Sequence, residues 1–170
     1  MERVVVIGNS GGGKSGIARA LAARFDLPHV EIDALLWRPG WEPAAPAVYE
    51  AEHARHVAAE RWVMDGLGRI ESIPGRLARA SDVVLVDMPL WMHFSVAAER
   101  QTAWAMGRLA HPPAGGGTVP PTLGLFRTMW EVDREWMPKI RRWVEAVAGQ
   151  GARVVRLASV DAATAFVAGL

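Results

Sequence analysis

Residues 8–15 read Gly-Asn-Ser-Gly-Gly-Gly-Lys-Ser, directly behind the apolar run Val4-Val5-Val6-Ile7. Glycine inside a helix or strand is costly, and this density of it makes sense only where backbone must take positive φ or come very close to another group. The β-branched run before the glycines has the pattern of a strand buried on both faces of a parallel sheet. After them, Lys14 to Phe25 place Ile17, Leu21 and Phe25 four apart, on one face of an amphipathic helix. Buried strand, glycine loop and helix in that order match the spacing G-x-x-x-x-G-K-[ST]. The physics is that of a phosphate cradle. Backbone N–H groups turn inward, the helix N-terminus adds positive potential, Lys14 reaches the terminal phosphates and the Ser15 hydroxyl can ligate magnesium. A flexible turn with a chance lysine would leave the register of strand, loop and helix unexplained. Gly8, Ser10, Gly11, Gly12, Gly13, Lys14, Ser15 and Gly16 are therefore expected to hold the phosphates of a nucleoside triphosphate.

Further along, His29–Asp33 suggests a short strand, and Trp37-Arg38-Pro39-Gly40-Trp41-Glu42-Pro43 a loop punctuated by Pro and Gly. A polar, alanine-rich helix is expected from about Val48 to Glu60, and a short one over Ser72–Ala80. The runs Arg61–Gly66 and Asp82–Pro89 read as strands, each with an Asp before a turn. Residues 90–107 suit a long helix, broken by the Pro- and Gly-rich stretch at 111–121. A helix then runs to about Ala148 with a kink at Pro138, followed by a strand over 152–157 and a terminal helix capped by Asp161. Alternating strands and helices predict an open α/β sheet with right-handed crossovers, with ligands at the carboxyl ends of the strands. No repeat or linker divides the chain.

The 170 residues suit one domain, and 51% hydrophobic with 22% charged residues is a globular composition. Lys and Arg total 19 against 18 for Asp and Glu, so a net charge of +1 makes direct nucleic-acid binding unlikely by composition. A local basic patch from Arg127, Arg134, Lys139, Arg141 and Arg142 is the exception to test. Absence of Cys excludes disulfides, thiolate metal sites and a cysteine nucleophile. The first residues enter a strand at once, and no apolar run reaches membrane-spanning length, so a cytoplasmic protein that does not enter the membrane is expected. His53 and His56 share a helix face, a spacing compatible with a metal, but lack a third ligand nearby and suit a solvated pair. Trp37 and Trp41 flank Arg38 and either wall an acceptor pocket or pack locally, whereas Trp104, Trp130, Trp136 and Trp143 have helical spacings that suit a core. A metal beside the glycine loop needs a second carboxylate, and Asp65 and Asp87 both qualify.

The combination of residues 8–15 with Ile32-Asp33, the stretch Trp62-Val63-Met64-Asp65-Gly66-Leu67-Gly68-Arg69, and Val86-Asp87-Met88-Pro89 followed by a helix reaching Arg100 resembles the adenylate kinase branch of P-loop kinases. The stretches DALLWRPGW (33–41) and RWVMDG (61–66) are similar to an adenylate-kinase-related family labelled DNA topology modulation proteins. The resemblance covers about residues 3–100. It implies a three-layer α/β P-loop NTPase fold with a five-stranded parallel sheet in the order 2-3-1-4-5, in one domain over 1–170. It also implies an acceptor-binding segment at about 33–60 and a lid at about 101–126. Carried over residue by residue, it implies that Asp65 and Ser15 hold Mg2+ and that Arg69 meets an acceptor phosphate, with Gly68 in place of the family's proline. Asp33 would meet the acceptor, as a base or only as a positioning group. Arg100 would contact the donor phosphates, and Ser159 would lie where backbone holds adenine. By spacing alone, Arg127 and Arg134, seven apart on one face of the following helix, either point back at the site or are solvated. The implied activity is transfer of the γ-phosphoryl of Mg·ATP to a small molecule, first of all a nucleoside monophosphate. The alternatives are a hydroxyl kinase with Asp33 as base and a nucleotide-binding regulatory protein affecting DNA topology.

Overall fold

Val4, Val5, Val6 and Ile7 are completely buried, as a strand covered on both faces must be. The structure, a computed structural model, describes residues 1–112 and 119–170. In chain order its elements are β1 (Arg3–Gly8), α1 (Lys14–Phe25), β2 (His29–Glu31), α2 (Ile32–Leu36), β3 (Trp37–Arg38), β4 (Glu42–Pro43), α3 (Pro46–Ala58), β5 (Trp62–Asp65), α4 (Ile73–Arg79), β6 (Asp82–Val86), α5 (Leu90–Ala105), α6 (Thr122–Glu131), α7 (Met137–Gly149), β7 (Arg153–Leu157) and α8 (Val160–Ala168). A π-helical turn, Val132–Trp136, joins α6 to α7.

The five-stranded sheet is parallel, in the order β2-β5-β1-β6-β7. With the small ribbon β3-β4 set aside, this is the expected 2-3-1-4-5 arrangement. Alternation along β1 builds the three layers. Val5 and Ile7 join Val30, Met64, Val83 and Leu85 under α3, α4 and α7, while Val4 and Val6 join Val63, Val84 and Val86 under α1 and α8.

Several local expectations need correction. The strand expected over 29–33 stops at Glu31, whose partner Asp65 is the last residue of β5, so there is no further strand for Asp33 to pair with. Asp33 instead lies in the first turn of α2, where its charge suits the helix dipole. The loop after it contains the antiparallel ribbon, which pairs Trp37 with Pro43 and Arg38 with Glu42 and turns through Gly40 and Trp41, both at positive φ. Ser159, not Asp161, caps α8, its side chain accepting the Ala162 N–H at 3.1 Å. The backbone stays helical from α6 through the π turn into α7, so Pro138 lies inside a continuous helix, and the irregularity expected there falls in the turn its missing N–H faces, Val132–Trp136. Trp130 is 48% exposed, although Trp136 and Trp143 do pack against the core. His53 is buried and stacked on Tyr49 rather than solvated. The expected lid at about 101–126 runs from the last turns of α5 into α6, and its residues 113–118 lie outside the described residues.

Candidate active site

The chain leaves β1 at Gly8, where a side chain would put its first carbon 2.2 Å from the carbonyl oxygen of Val86 on β6, so only glycine fits. Gly11 and Gly13 take φ of 76° and 74°, which turns the loop around the start of α1. Gly12 faces Val86 and the His93 ring across α5, where an added carbon would sit 2.7 Å from Val86 and 2.9 Å from His93. Gly13 and Gly16 open onto free space, as a face that receives a ligand must. The Lys14 ammonium donates to the carbonyl of Asn9 at 2.9 Å, and the side-chain oxygen of Asn9 accepts the Ser10 N–H at 2.8 Å.

Behind the loop stands Asp65, buried at the end of β5. The Ser15 hydroxyl donates to its Oδ2 at 2.6 Å, and His29 Nε2 lies 2.7 Å from its Oδ1. Hydroxyl and carboxylate converging beside a phosphate loop form the hard-oxygen donor set that Mg2+ takes, so these residues fit the ion. Asp87, the other candidate, is engaged elsewhere. Arg141 grips both its oxygens at 2.8–3.1 Å and Arg156 also pairs with it. Burial alone would raise the Asp87 pKa, but the two arginines outweigh it and hold it below the ordinary carboxylate value.

Asp33 and Lys14 lie near enough for each charge to act on the other's titration. Asp33 keeps an exposed face, and the protein atoms packed against its carboxylate raise its pKa above the ordinary value, with the Asp65 charge adding to the rise. Lys14, Arg76 and a hydrogen bond from the Gly68 N–H oppose the rise. Desolvation likewise lowers the Lys14 pKa, partly offset by Asp33 and Asp65. Arg100 faces the same carboxylate: burial lowers its pKa, Asp33 raises it, and its buried Nε has no hydrogen-bond partner.

Lys14, Ser15, Asp33, Asp65 and Arg100 thus come together at the carboxyl ends of the central strands. The Arg69 side chain turns instead toward Glu71 at 3.9 Å, while its backbone N–H donates to Tyr49. Ser159 serves as the α8 cap. Arg127 pairs with Glu131 at 3.1 Å and Arg134 lies over the Trp130 ring, both at the surface. The His53–His56 pair gathers no third ligand, and among the described residues no group of His, Asp and Glu could hold a metal by itself.

Four contributors escaped the sequence reading. Arg76 is fully buried and donates from Nη2 to the carbonyls of Gly66 at 2.7 Å and Leu67 at 2.9 Å, holding the loop that carries the Gly68 donor. Burial lowers its pKa to about 10 against the pull of Tyr49, Asp33 and Asp65. Its signal was available: it shares the apolar face of α4 with Ile73 and Leu77, where a charge is costly without a purpose. Tyr49 braces the same loop through Ser72 at 2.8 Å. His29 and Asn9 carried no signal, since one merely opens a strand and the other fills a variable position of the motif.

No family model matches this chain, and no curated protein matches it. Among solved structures, it is similar to a shikimate kinase from Acinetobacter baumannii in complex with shikimate, at a TM-score of 0.59 and 12% identity over 99% of this chain and 90% of that one. It is also similar to a gluconokinase from Sinorhizobium meliloti, at a TM-score of 0.53 and 20% identity over 99% of this chain and 92% of that one. At these identities the likeness establishes the α/β kinase-type fold.

Proposed function

We propose that the chain is a P-loop kinase that moves the γ-phosphoryl of Mg·ATP onto a hydroxyl of a small molecule, with Asp33 as the base. The observation that carries this reading is the Asp33 carboxylate, held by the Gly68 N–H and packed against Gly66 beside the end of β5, within electrostatic reach of Lys14, Arg100 and Asp65. A nucleoside monophosphate acceptor brings a phosphate that is already ionised and needs no base, and a carboxylate at that position would repel it. A neutral hydroxyl gains from such a carboxylate, which can accept its proton as it attacks. The fold neighbours that act on gluconate and shikimate, by their names, support the hydroxyl reading as well. In this reading the hydroxyl oxygen attacks the γ-phosphorus, its proton passes to Asp33, and the bond from the γ-phosphorus to the β–γ bridging oxygen breaks to release ADP. Lys14 and Arg100 neutralise charge on the transferring group, and the loop N–H groups hold the phosphates in place. Ser15 and Asp65 would hold Mg2+, which neutralises phosphate charge when bound.

The test is ADP release from Mg·ATP with a panel of sugar acids, polyols and nucleoside monophosphates. Turnover stimulated by a hydroxyl acceptor, abolished by Lys14→Ala and cut at least about 100-fold by Asp33→Asn while ATP binding persists, is the expected result. Stimulation by a nucleoside monophosphate that survives Asp33→Asn would replace this reading with the monophosphate one. ATP binding with no stimulation by any acceptor would favour a regulatory nucleotide-binding protein.

A further inference from the structure

The second residue of the phosphate loop has a side chain with more to do than its variable position suggests. Asn9 is 1% exposed. Its Oδ1 accepts the Ser10 N–H, its backbone oxygen accepts from Lys14, and its Nδ2 donates to the carbonyl of Met129 at 2.7 Å, a buried bond that leaves the loop and crosses to α6. Met129 is itself completely buried, so the bond is shielded from water. It lies one turn before the π-helical segment Val132–Trp136, where the backbone register loosens, and its carbonyl also accepts the Val132 N–H. π turns recur at functional sites because they shift a carbonyl out of ordinary helical pairing. A second tie reaches the loop from α5. His93, 1% exposed, donates from Nδ1 to the Ser10 carbonyl at 2.9 Å, and the α5 backbone at His93 closes on Gly11. α5 and α6 pack on each other through Phe94 and Phe126. Residues 9 and 10 are thus the junction where the lysine, α5 and α6 meet.

We infer that Asn9 is a positioning residue: through Met129 it holds the phosphate loop in its cradle shape and transmits nucleotide binding to α6. This rests on the nucleotide-binding part of the proposed function and goes beyond it in naming how the loop is held and which element responds. When phosphates draw the Lys14 ammonium away from the Asn9 carbonyl, the residue changes partners on one side while Met129 grips it on the other, so α6 registers the event.

Two variants separate this role from a local turn. Asn9→Ala removes both side-chain bonds. Asn9→Asp keeps an oxygen for the Ser10 N–H but sets a carboxylate oxygen against the Met129 carbonyl; because it also adds charge beside the phosphates, the α6 response at saturating nucleotide, and not the weaker binding, reports the tie. Binding of Mg·AMP-PNP is measured by calorimetry, and amide hydrogen exchange over 122–131 is followed with and without it; no acceptor is involved. In the natural protein, AMP-PNP is expected to slow exchange across 122–131. Both variants are expected to bind about tenfold more weakly and to lose that protection, with unfolding midpoints showing that they remain folded. An Asn9→Asp variant that at saturating nucleotide protects α6 as well as the natural protein overturns the inference, as does a natural protein that binds AMP-PNP without any response in α6. If the natural protein does not bind AMP-PNP at all, the kinase reading itself falls.

Discussion

Two aspartates end neighbouring strands and look alike in sequence, yet their surroundings give them opposite tasks. Asp65 shares its oxygens between Ser15 and His29 beside the phosphate loop, whereas Asp87 is clamped by Arg141 and Arg156. Asp65→Asn is therefore expected to abolish Mg2+-dependent nucleotide binding, besides weakening its buried bonds to Ser15 and His29. Asp87→Asn should lower stability by about 2 kcal/mol, the scale of a hydrogen bond to a charged group, with the arginines left free to find water. Nucleotide binding should survive. Calorimetry and urea unfolding on the pair check this, and the reversed pattern would hand the metal to Asp87. His53 offers a test in pH. Burial, with Arg76 and His56 adding to it, lowers its pKa to about 4, from 6.5 in the unfolded chain. Between those values the unfolded chain binds the extra proton, so the stability His53 confers is complete above pH 6.5 and is lost as pH falls toward 4. The loss is about 3 kcal/mol. Comparing urea unfolding at pH 7 and 4.5, His53→Phe should shed that difference while the carboxylates common to both proteins cancel.

Among the elements, what could be read in sequence was whatever a local pattern enforces. The run Val4–Ile7 admits only a doubly covered strand, and the glycines with Lys14 and Ser15 admit little besides a phosphate cradle at its end. Where tertiary partners decide, the sequence was silent or misleading. β2 stops at Glu31 because β5 offers no residue beyond Asp65 to pair with, a fact of another strand some thirty residues on. The ribbon over Trp37–Pro43 depends on Gly40 and Trp41 at positive φ, and a tryptophan is a poor advertisement for that conformation. Arg76 shows the same limit at the site. Its place on the apolar face with Ile73 and Leu77 marked it as buried, but only the packed structure shows which carbonyls it holds, those of Gly66 and Leu67. The π turn after α6 had no pattern to announce it. The proline two residues past it marked the place, but not that the helix would widen to a π turn there.

For the whole molecule, charge argues against nucleic acid as a partner. The net +1 is small, and of the basic residues that form a candidate patch, Arg141 is spent on Asp87 and Arg127 on Glu131. Duplex DNA binding followed by fluorescence anisotropy should therefore be weak at about 50 mM salt, without the steep fall toward about 200 mM that many phosphate contacts produce; a thousandfold loss over that range would restore the regulatory reading. No described helix is long and apolar enough to cross a membrane. The place of β1 in the sheet has one more consequence, for how the protein comes into being. As the central strand, β1 pairs with β5 on one side and β6 on the other, both distant in sequence, and Gly8 closes against Val86 only once β6 has docked. Such long-range closures come late and slowly in folding. The stretch that carries the phosphate loop precedes β5 and β6 in the chain, yet it can acquire its shape only after they have emerged and paired with β1, so competence to bind nucleotide marks a chain whose central sheet is already assembled.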